Sequence, residues 1–322
     1  MRILVVPPAY AERQGGAEWA VLQYVLGFQR LGHEVKLVGE RGDQFDLVLN
    51  ISGTLAPDLL ASIPIRVYLD LDPAFNQLWH GQGIDRHFDG HTHHVTVGQA
   101  IGTPGCDVPT YGLEWIKTLP PVVLERWPAR NSFALSAMTT VGNLRSYGSI
   151  EHDGITYGQK VHSLRTLRRL PERTRQRFVL AMTVHEDERG DLEALDRHGW
   201  ELVDPRQVAG TPSSYRDFVS GSWAEIGIAK HGYVISRCGW FSDRSACYLA
   251  SGRPVIAQDT GFRRFLPTGE GLVAIDNEDS AVAAVHDLRE NYARHAAAAR
   301  QLAEEYFDSD VVLARLLEKV CE

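Results

Sequence analysis

The stretch from Arg237 to Phe262, RCGWFSDRSACYLASGRPVIAQDTGF, has the clearest local pattern in this chain of 322 residues. It predicts a tight turn at Gly239, a short helix, and a Gly-x-Pro stop at 252–254. The apolar run 255–257 then predicts a buried strand, and a second polar turn follows it. A turn, a helix and a buried strand in this order are typical of an α/β fold.

The start of the predicted helix is unusually cationic. Ser242 or Asp243 can cap the helix by accepting hydrogen bonds from its first N–H groups. Arg244 lies in the first turn, where the helix dipole disfavours a cation, and Arg237 lies nearby. A bound anion would explain both arginines, although a capped structural helix is the alternative. We therefore predict a phosphate site formed by Gly239, Ser242, Asp243, Arg244 and Ser245.

The second polar turn is Asp259-Thr260-Gly261. It follows the predicted strand at its carboxyl end, where ligands gather in open α/β sheets. A phosphate site and a polar turn at opposite ends of one unit suggest a ligand with a phosphate end and a hydroxylated end, such as a nucleotide sugar. An ordinary turn without a ligand is the alternative.

The composition excludes several classes of protein. With 44% hydrophobic and 23% charged residues, the chain is typical of a globular protein large enough for two domains. A net charge of -8 argues against nucleic-acid binding and against a polybasic membrane binder. The four cysteines lack a CxxC pair, and the opening MRILVVPP predicts a strand and not a secretory signal. We expect a cytoplasmic protein with no membrane segment, and a homodimer is left open.

Strand and helix patterns alternate along the first half. The apolar run 2–6 predicts a buried strand, Gly15-Gly16 precede a helix over 17–31, and a second strand is expected over 34–38. This βαβ opening lacks the GxGxxG spacing, so a nicotinamide-binding fingerprint is not supported. Further strands are predicted over 45–51, 65–69 and 94–97, and a short helix over 57–62.

A composition change between Pro120 and Ser132 predicts a linker, which divides the chain into domains 1–128 and 129–322. A polar loop over 142–160 follows the first strand of the second half. Predicted strands are 133–141, 178–184, 200–203, 223–229, 255–257 and 272–275, and predicted helices are 162–170, 192–198, 215–220 and most of the chain after 280. The fold class is thus α/β, with two Rossmann-like doubly wound domains facing a cleft and a helical C-terminal tail.

Two motifs resemble a known family. Gly15-Gly16-Ala17-Glu18, leading into a helix that ends at the stretch 31–35, resembles the amino-terminal signature of GT-B glycosyltransferases. The segment 238–240 with Ser242 and the later Gly-x-Pro at 252–254 resembles a box of nucleotide-sugar glycosyltransferases that act on natural products. The resemblance follows the order of elements over nearly the whole chain. It extends to the retaining family-4-like group and to uncharacterised bacterial proteins assigned as glycosyltransferases.

The resemblance implies an enzyme that transfers a sugar from a nucleoside-diphosphate donor to a small or moderately sized acceptor, without a metal. The first domain would hold the acceptor and the second the donor. In retaining relatives, the loop that corresponds to Gly15 and Gly16 approaches the donor diphosphate. Arg145 and Lys160 fall in the loop whose cations hold the phosphates, and Asp259-Thr260-Gly261 would bind sugar hydroxyls.

The sequence also departs from these relatives. The two spaced glutamates of the retaining branch fall here at Gly239 and Cys247, so inversion or retention of configuration is left open. Two other functions also remain open. One is a nucleotide-sugar 2-epimerase of the same fold, and the other is a non-catalytic protein that binds sugar nucleotides.

Four residues are candidates for the base that activates the acceptor hydroxyl. Asp70 and Asp72 form a DxD pattern at the end of a predicted strand that faces the cleft, with turn or helix capping as the alternative. The pattern binds metal in another glycosyltransferase fold class, which the two-sheet arrangement does not suit. Glu18 and His80 are the further candidates.

Other polar clusters have structural interpretations. No cysteine or glutamate completes a tetrahedral zinc set with the histidine cluster, so no metal site is predicted there. The cluster consists of His87, His91, His93 and His94. Glu225 and Lys230 flank a predicted strand and are expected to form an interstrand ion pair, while Trp240 and Tyr248 are expected to pack in the interior.

Overall fold

The first part of the chain forms a parallel sheet. The structure, a computed structural model, describes residues 1–8, 14–37, 43–184 and 188–321. The strands of the first part are β1 Arg2–Val6, β2 Glu34–Lys36, β3 Leu47–Ile51, β4 Ile65–Asp70, β5 His93–Thr96 and β6 Trp115–Lys117. They form one six-stranded sheet in the order β2-β1-β3-β4-β5-β6, and every described pair is parallel. All five residues of β3 are buried, as expected for a parallel strand covered on both faces.

The helices of the first part cover this sheet. They are α1 Gly15–Arg30, α2 Pro57–Ala61 and α3 Phe75–Gly81. Tyr24 and Phe28 of α1 are buried against apolar side chains of β1 and β3, which explains the apolar spacing of this helix. The predicted strand 34–38 ends at Lys36, and Val38 lies outside the described residues.

The second part repeats the architecture. Its strands are β7 Leu135–Asn143, β8 Ile150–His152, β9 Ile155–Tyr157, β10 Phe178–Thr183, β11 Trp200–Val203, β12 Ser222–Gly227, β13 Val255–Gln258 and β14 Leu272–Ile275. Six of them form a parallel sheet in the order β11-β10-β7-β12-β13-β14. The remaining two, β8 and β9, form an antiparallel hairpin within the region predicted as a loop, so that part of the prediction is wrong.

Helices connect the strands of the second sheet and complete the chain. They are α4 Lys160–Arg165, α5 Leu170–Thr174, α6 Arg189–Arg197, α7 Pro205–Val208, α8 Pro212–Gly221, α9 His231–Ser236, α10 Asp243–Ala250, α11 Glu278–Glu290, α12 Tyr292–Leu302 and α13 Ser309–Cys321. The predicted helix 162–170 is instead the two short helices α4 and α5. Capping boxes start α8 at Thr211 and α11 at Asn277. Across the described ranges, none of the helices combines the length and apolar character needed to cross a bilayer.

The chain passes twice between the two sheets at one place. Val122 N donates to Phe307 O at 2.7 Å, and Ser309 N donates to Val122 O at 2.9 Å. The predicted division after residue 128 puts α13 in the second domain. However, Leu313 and Leu316 of α13 are buried in the core of the first sheet, where they pack with α1. The C-terminal helix therefore packs on the first domain.

The stretch 237–262 forms the turn, helix, stop and strand that its pattern predicts. Gly239 and Gly252 have φ angles of 76° and 68°, which favour glycine. Ser242 occupies the cap position of α10, but its hydroxyl makes no capping hydrogen bond to the helix. Sequence periodicity thus predicts the elements correctly here, while the predicted side-chain cap is wrong.

Candidate functional site

A cleft of about 600 Å³ lies between the two sheets. Its walls are formed by residues that follow the carboxyl ends of strands in both domains. In the second sheet these strands include β7 and β12, between which the chain connections change direction, and ligands bind at such switch points. From the first domain come Gly15, Gly16, Leu71, Val97 and Pro120; from the second come Gly142, Lys160, Lys230, Ser242, Asp243 and Arg244, with others.

Gly15 and Gly16 bring the start of α1 against the second domain. A Cβ on Gly15 would lie 2.3 Å from Thr211 O, and a Cβ on Gly16 would lie 2.9 Å from the ring of Tyr215. Only residues without a side chain allow this approach. Both glycines line the cleft as the sequence suggests, and their contact with a ligand stays a prediction.

Lys160 projects from the start of α4 into the cleft. A Cβ on Gly142 would lie 2.7 Å from Lys160 Nζ and 3.9 Å from Arg244 Nη1, which places the ammonium group at the end of β7. Within the described ranges, Nζ has no hydrogen-bond or ion-pair partner. Burial, with the nearby cations Arg244 and Lys230, lowers the pKa of Lys160 well below its usual value. Lys160 is thus a desolvated basic group without an anionic partner among the described residues, and a bound anion would favour its protonated form.

Arg145 forms an ion pair away from the cleft. Its Nε lies 2.8 Å from Oε1 of the buried Glu188, and Arg145 does not line the cleft. The structure therefore does not bring Arg145 and Lys160 together in one phosphate site. The ion pair with Glu188 accounts for the charge of Arg145 without a ligand.

Arg244 lines the cleft, but its guanidinium group is already paired. Arg244 Nε donates to Glu225 Oε1 at 2.5 Å, and Nη1 donates to Val141 O at 3.0 Å. Both partners are buried, with 9% of the Arg244 side chain and 0% of the Glu225 side chain exposed. The cationic helix start is therefore explained mainly by a carboxylate from β12. The predicted Glu225–Lys230 ion pair is wrong, because each residue has another partner.

Of the remaining residues of the predicted phosphate site, two line the cleft and two do not. Ser242 and Asp243 line the cleft. Ser245 is buried and borders only a smaller pocket behind the helix. A Cβ on Gly239 would lie 2.7 Å from Ala100 N, so this glycine permits close contact with the first domain. Neither Ser245 nor Gly239 reaches the cleft.

The turn Asp259-Thr260-Gly261 is held by its own side chains. Asp259 Oδ1 accepts from Gly261 N at 3.0 Å, and Oδ2 pairs with Arg263 Nε at 2.8 Å. The Thr260 hydroxyl donates to Trp240 O. All three residues are buried and none lines the cleft, so this position does not support the predicted contact with sugar hydroxyls.

Asp70 is fully buried, and its carboxylate is satisfied within the first domain. Oδ1 accepts from Asn76 Nδ2 at 2.6 Å, while Oδ2 accepts from Gln77 Nε2 and the Thr96 hydroxyl, each at 2.9 Å. Burial raises the pKa of this carboxyl, although the hydrogen bonds act in the opposite direction. Asp70 is not accessible to an acceptor, so its position does not support a role as the base.

Asp72 joins the two domains at the edge of the cleft. Its carboxylate lies 2.8 Å from Lys230 Nζ, and it accepts from Tyr147 Oη at 2.6 Å and from the Tyr233 hydroxyl. Lys230 Nζ also lies 4.4 Å from the ring centroid of Tyr147 and 5.0 Å from that of Phe75. We call the group Asp72, Tyr147, Lys230 and Tyr233 the interdomain latch. The Asp72 carboxylate is thus engaged in an ion pair and hydrogen bonds within the latch, and Asp72 does not line the cleft.

Replacing Asp72 with asparagine is expected to lower the free energy of unfolding by about 1–3 kcal/mol, because Lys230 loses a charged hydrogen-bond partner in a partly buried site. Chemical denaturation measures this change. Hydrogen exchange should accelerate in α9 and in the loop around Asp72 that leads into α3, since the latch connects these segments. The exposed Asp196→Asn is the matched control and should change stability by less than about 0.5 kcal/mol. Equal stability of the two variants would contradict the latch.

Glu18 and His80 do not line the cleft. Glu18 is partly buried in the first turn of α1. His80 ends α3, where its ring lies 4.9 Å from that of Phe88 and 5.0 Å from that of Tyr111. His91 and His94 both hydrogen-bond to Phe88 O, which is a structural arrangement. Among the described residues, no group of three or more His, Cys, Asp or Glu side chains could hold a metal ion.

Lys230 and Tyr215 are among the cleft residues that the sequence did not indicate as site residues. Lys230 follows β12 at the switch point, and this position after a buried strand could have indicated it. Tyr215 comes from α8, is 3% exposed and borders the cleft beside Gly16. No local pattern distinguishes Tyr215 from the other aromatic residues of an apolar helix face.

Two parallel α/β domains facing a cleft, with a terminal helix that returns to the first domain, define the GT-B fold. Solved structures confirm this fold. An α-glucosyltransferase in complex with UDP is 11% identical, with 100% of each chain covered and a TM-score of 0.66. HepE of Anabaena in complex with UDP-glucose is 13% identical, with 100% of this chain and 99% of that chain covered and a TM-score of 0.64. AviGT4, a glycosyltransferase of avilamycin A biosynthesis, is 15% identical, with coverage of 99% and 97% and a TM-score of 0.61.

A further structure of the α-glucosyltransferase contains UDP and a 13-mer DNA with an HMU base, at 11% identity, full coverage of both chains and a TM-score of 0.67. No protein-family profile and no curated protein sequence matches the chain. The resemblance to GT-B proteins inferred from the sequence is thus confirmed for the fold, at identities where only the fold is shared.

Proposed function

We propose that the protein is a glycosyltransferase that moves a sugar from a nucleoside-diphosphate donor to an acceptor hydroxyl. The observation that carries this proposal is Lys160, a partly buried amino group at the switch point of the second sheet that has no anionic partner in the part of the chain that the structure describes. A diphosphate supplies the missing negative charge. UDP or UDP-glucose in the structural neighbours supports a nucleotide ligand for this cleft.

The reaction follows from the charges in the cleft. An acceptor oxygen forms a bond to the anomeric carbon, and the bond from that carbon to the diphosphate oxygen breaks. The leaving diphosphate takes the electron pair, and Lys160 stabilises the negative charge that develops there. Closure of the cleft around the bound substrates would exclude water from the reaction.

The acceptor is proposed to be a small molecule or a glycan that approaches from the first domain. A net charge of -8 opposes binding to the DNA backbone, although one structural neighbour is complexed with DNA. We further propose that the transfer needs no metal. The DxD carboxylates are engaged by amide and hydroxyl donors at Asp70 and by the latch at Asp72, so they are not available to bridge a metal to the diphosphate.

The test combines binding and turnover. Nucleoside diphosphates and their sugars should raise the melting temperature, since a ligand that binds only the folded state stabilises it. With a panel of alcohols and sugars as acceptors, release of free nucleoside diphosphate should depend on the acceptor and persist in EDTA.

Each other outcome identifies a different function. A rearranged sugar nucleotide formed without an acceptor would indicate an epimerase. Tight binding without release of diphosphate would indicate a binding protein. Activity that is lost in EDTA and restored by Mn²⁺ would contradict the metal-independent transfer.

A further inference from the structure

One carboxylate is exposed on the wall of the cleft. Among the described residues that line this cavity, Asp243 is the only aspartate or glutamate, and its side chain is accessible. The sequence places Asp243 in the phosphate site because of its position at a helix start. The structure shows instead a negative group among the cations Lys160, Lys230 and Arg244.

Among the described residues, Asp243 has no strong partner. Its neighbour Arg244 is paired with Glu225, and the one hydrogen bond that the described residues make to the Asp243 carboxylate comes from the Ser242 hydroxyl at 3.5 Å. Asp243 lies in the first turn of α10, where a carboxylate is favourable near the positive end of the helix dipole. The carboxylate is therefore accessible and able to accept hydrogen bonds from a ligand.

Asp243 belongs to the second domain, but it borders the first domain. A small side pocket of the cleft lies between α1 and α10, and Asp243 borders both cavities. Gln23 and Tyr24 of α1 and Leu71 after β4 form the opposite wall of this side pocket. Lys160, by contrast, lies at the end of β7 in the second domain. Asp243 thus borders a pocket that is walled by the first domain, where the acceptor is proposed to bind.

A second polar group lies at the same junction. Tyr215 borders both cavities, is 3% exposed and has no hydrogen-bond partner among the described residues. Burial, together with Cys247 and Asp243, raises the pKa of Tyr215 well above its usual value, so the hydroxyl remains a donor. A polyhydroxylated ligand can satisfy Tyr215 and Asp243 together, since it offers both acceptors and donors.

We propose that Asp243 is the catalytic base that binds the attacking hydroxyl of the acceptor, an inference that rests on the proposed sugar transfer. The acceptor O–H donates to the carboxylate. As the new carbon–oxygen bond forms and the diphosphate leaves with its electron pair, the proton passes to Asp243 and then to solvent. The negative carboxylate faces the hydroxyl donor of the acceptor, while the anionic diphosphate remains with Lys160.

The four candidates predicted from sequence do not compete for this role in the structure. Asp70 is buried, Asp72 belongs to the latch, and Glu18 and His80 are absent from the lining. Burial raises the pKa of the three neutral groups that interact electrostatically with Asp243, so these groups stay neutral in acid. They are Tyr24 of α1, Tyr215 of α8 and Cys247 of α10. The basic groups nearby are Arg244 of α10 and Lys160 of α4, and burial lowers the pKa of Lys160 well below its usual value.

The experiment compares the variants Asp243→Asn and Asp243→Glu with the unmodified protein. Asp243→Asn should lower kcat by at least about 100-fold and keep the donor-induced shift in melting temperature. The fall of kcat/KM at acid pH, due to protonation of the base, should disappear in Asp243→Asn and persist in Asp243→Glu at reduced rate. The matched control is Asp58→Asn, an exposed acid in the first turn of α2, which should leave turnover unchanged.

Two results would overturn the assignment. They are unchanged turnover in Asp243→Asn and loss of donor binding in that variant. Absence of acceptor-dependent transfer in the unmodified protein would instead refute the proposed function itself.

Discussion

Replacing Arg244 with methionine is expected to lower the free energy of unfolding by about 3–5 kcal/mol, because it leaves the Glu225 carboxylate charged and unpaired in the interior. Glu225 is fully buried in the middle of β12, and its Oε2 has no hydrogen-bond partner among the residues that the structure describes. Denaturant unfolding at neutral pH measures the change. Purified Arg244→Met protein should therefore unfold at a lower denaturant concentration than the unmodified protein.

Two controls separate the buried ion pair from a general effect of removing arginine. Arg177→Met breaks an exposed pair in which Arg177 Nε lies 2.7 Å from Glu201 Oε1, and it should cost less than about 1 kcal/mol. Combining Glu225→Leu with Arg244→Met removes both charges and should recover most of the lost stability. If Arg244→Met unfolds like the unmodified protein but binds donor poorly, the arginine is chiefly a phosphate ligand, as its position at the helix start suggests.

Replacing Lys160 with methionine is expected to weaken donor binding by at least about 2 kcal/mol, roughly 30-fold, because the diphosphate loses a desolvated cationic partner. Titration calorimetry with the nucleoside diphosphate measures this change. Lys319→Met, which removes an exposed lysine of α13, should bind donor normally. Equal affinity of the Lys160→Met variant and the unmodified protein would exclude Lys160 from the donor site.

The same variant should be more stable than the unmodified protein when no ligand is present. The pKa of Lys160 is lower in the folded protein than in the unfolded chain, so protonation of Lys160 destabilises the folded state relative to the unfolded chain. The stability of the unmodified protein therefore increases as pH rises from the folded pKa toward the unfolded value. The advantage of Lys160→Met should be largest at low pH and should disappear above about pH 10.4. Higher stability of Lys160→Met would show that Lys160 destabilises the protein without a bound anion, which supports a binding role for this residue.

The charged residues around the cleft have two different roles, one in binding an anion and one in holding the two domains together. Lys160 lies in the second domain, whereas the start of α1 and Leu71 come from the first. The latch joins Asp72 of the first domain to Lys230 of the second beside this cavity. Breaking the latch and removing Lys160 should therefore have different results, since one change affects the contact between domains and the other affects the anion site.

The elements of the fold could be predicted from sequence because their causes are local. Apolar runs such as 2–6 and 255–257 specify buried parallel strands, and glycines at 239 and 252 permit the turns beside α10. The two-domain α/β architecture follows from the alternation of such elements, and the GT-B fold is confirmed. The hairpin over 150–157 was missed because its two short strands lie within a polar, glycine-rich stretch.

The roles of the charged side chains could be decided only by the tertiary structure. Arg244 and Glu225 are 19 positions apart and Lys230 and Asp72 are 158 apart, so no spacing rule relates them. The stretch 237–262 by itself determined a turn, a helix and a strand, since backbone preference and apolar periodicity act between near neighbours. Whether its arginine meets a phosphate or a buried carboxylate depended on which strand the fold packs against it. Electrostatic energy depends on distance and burial in space, and the folded chain alone defines both.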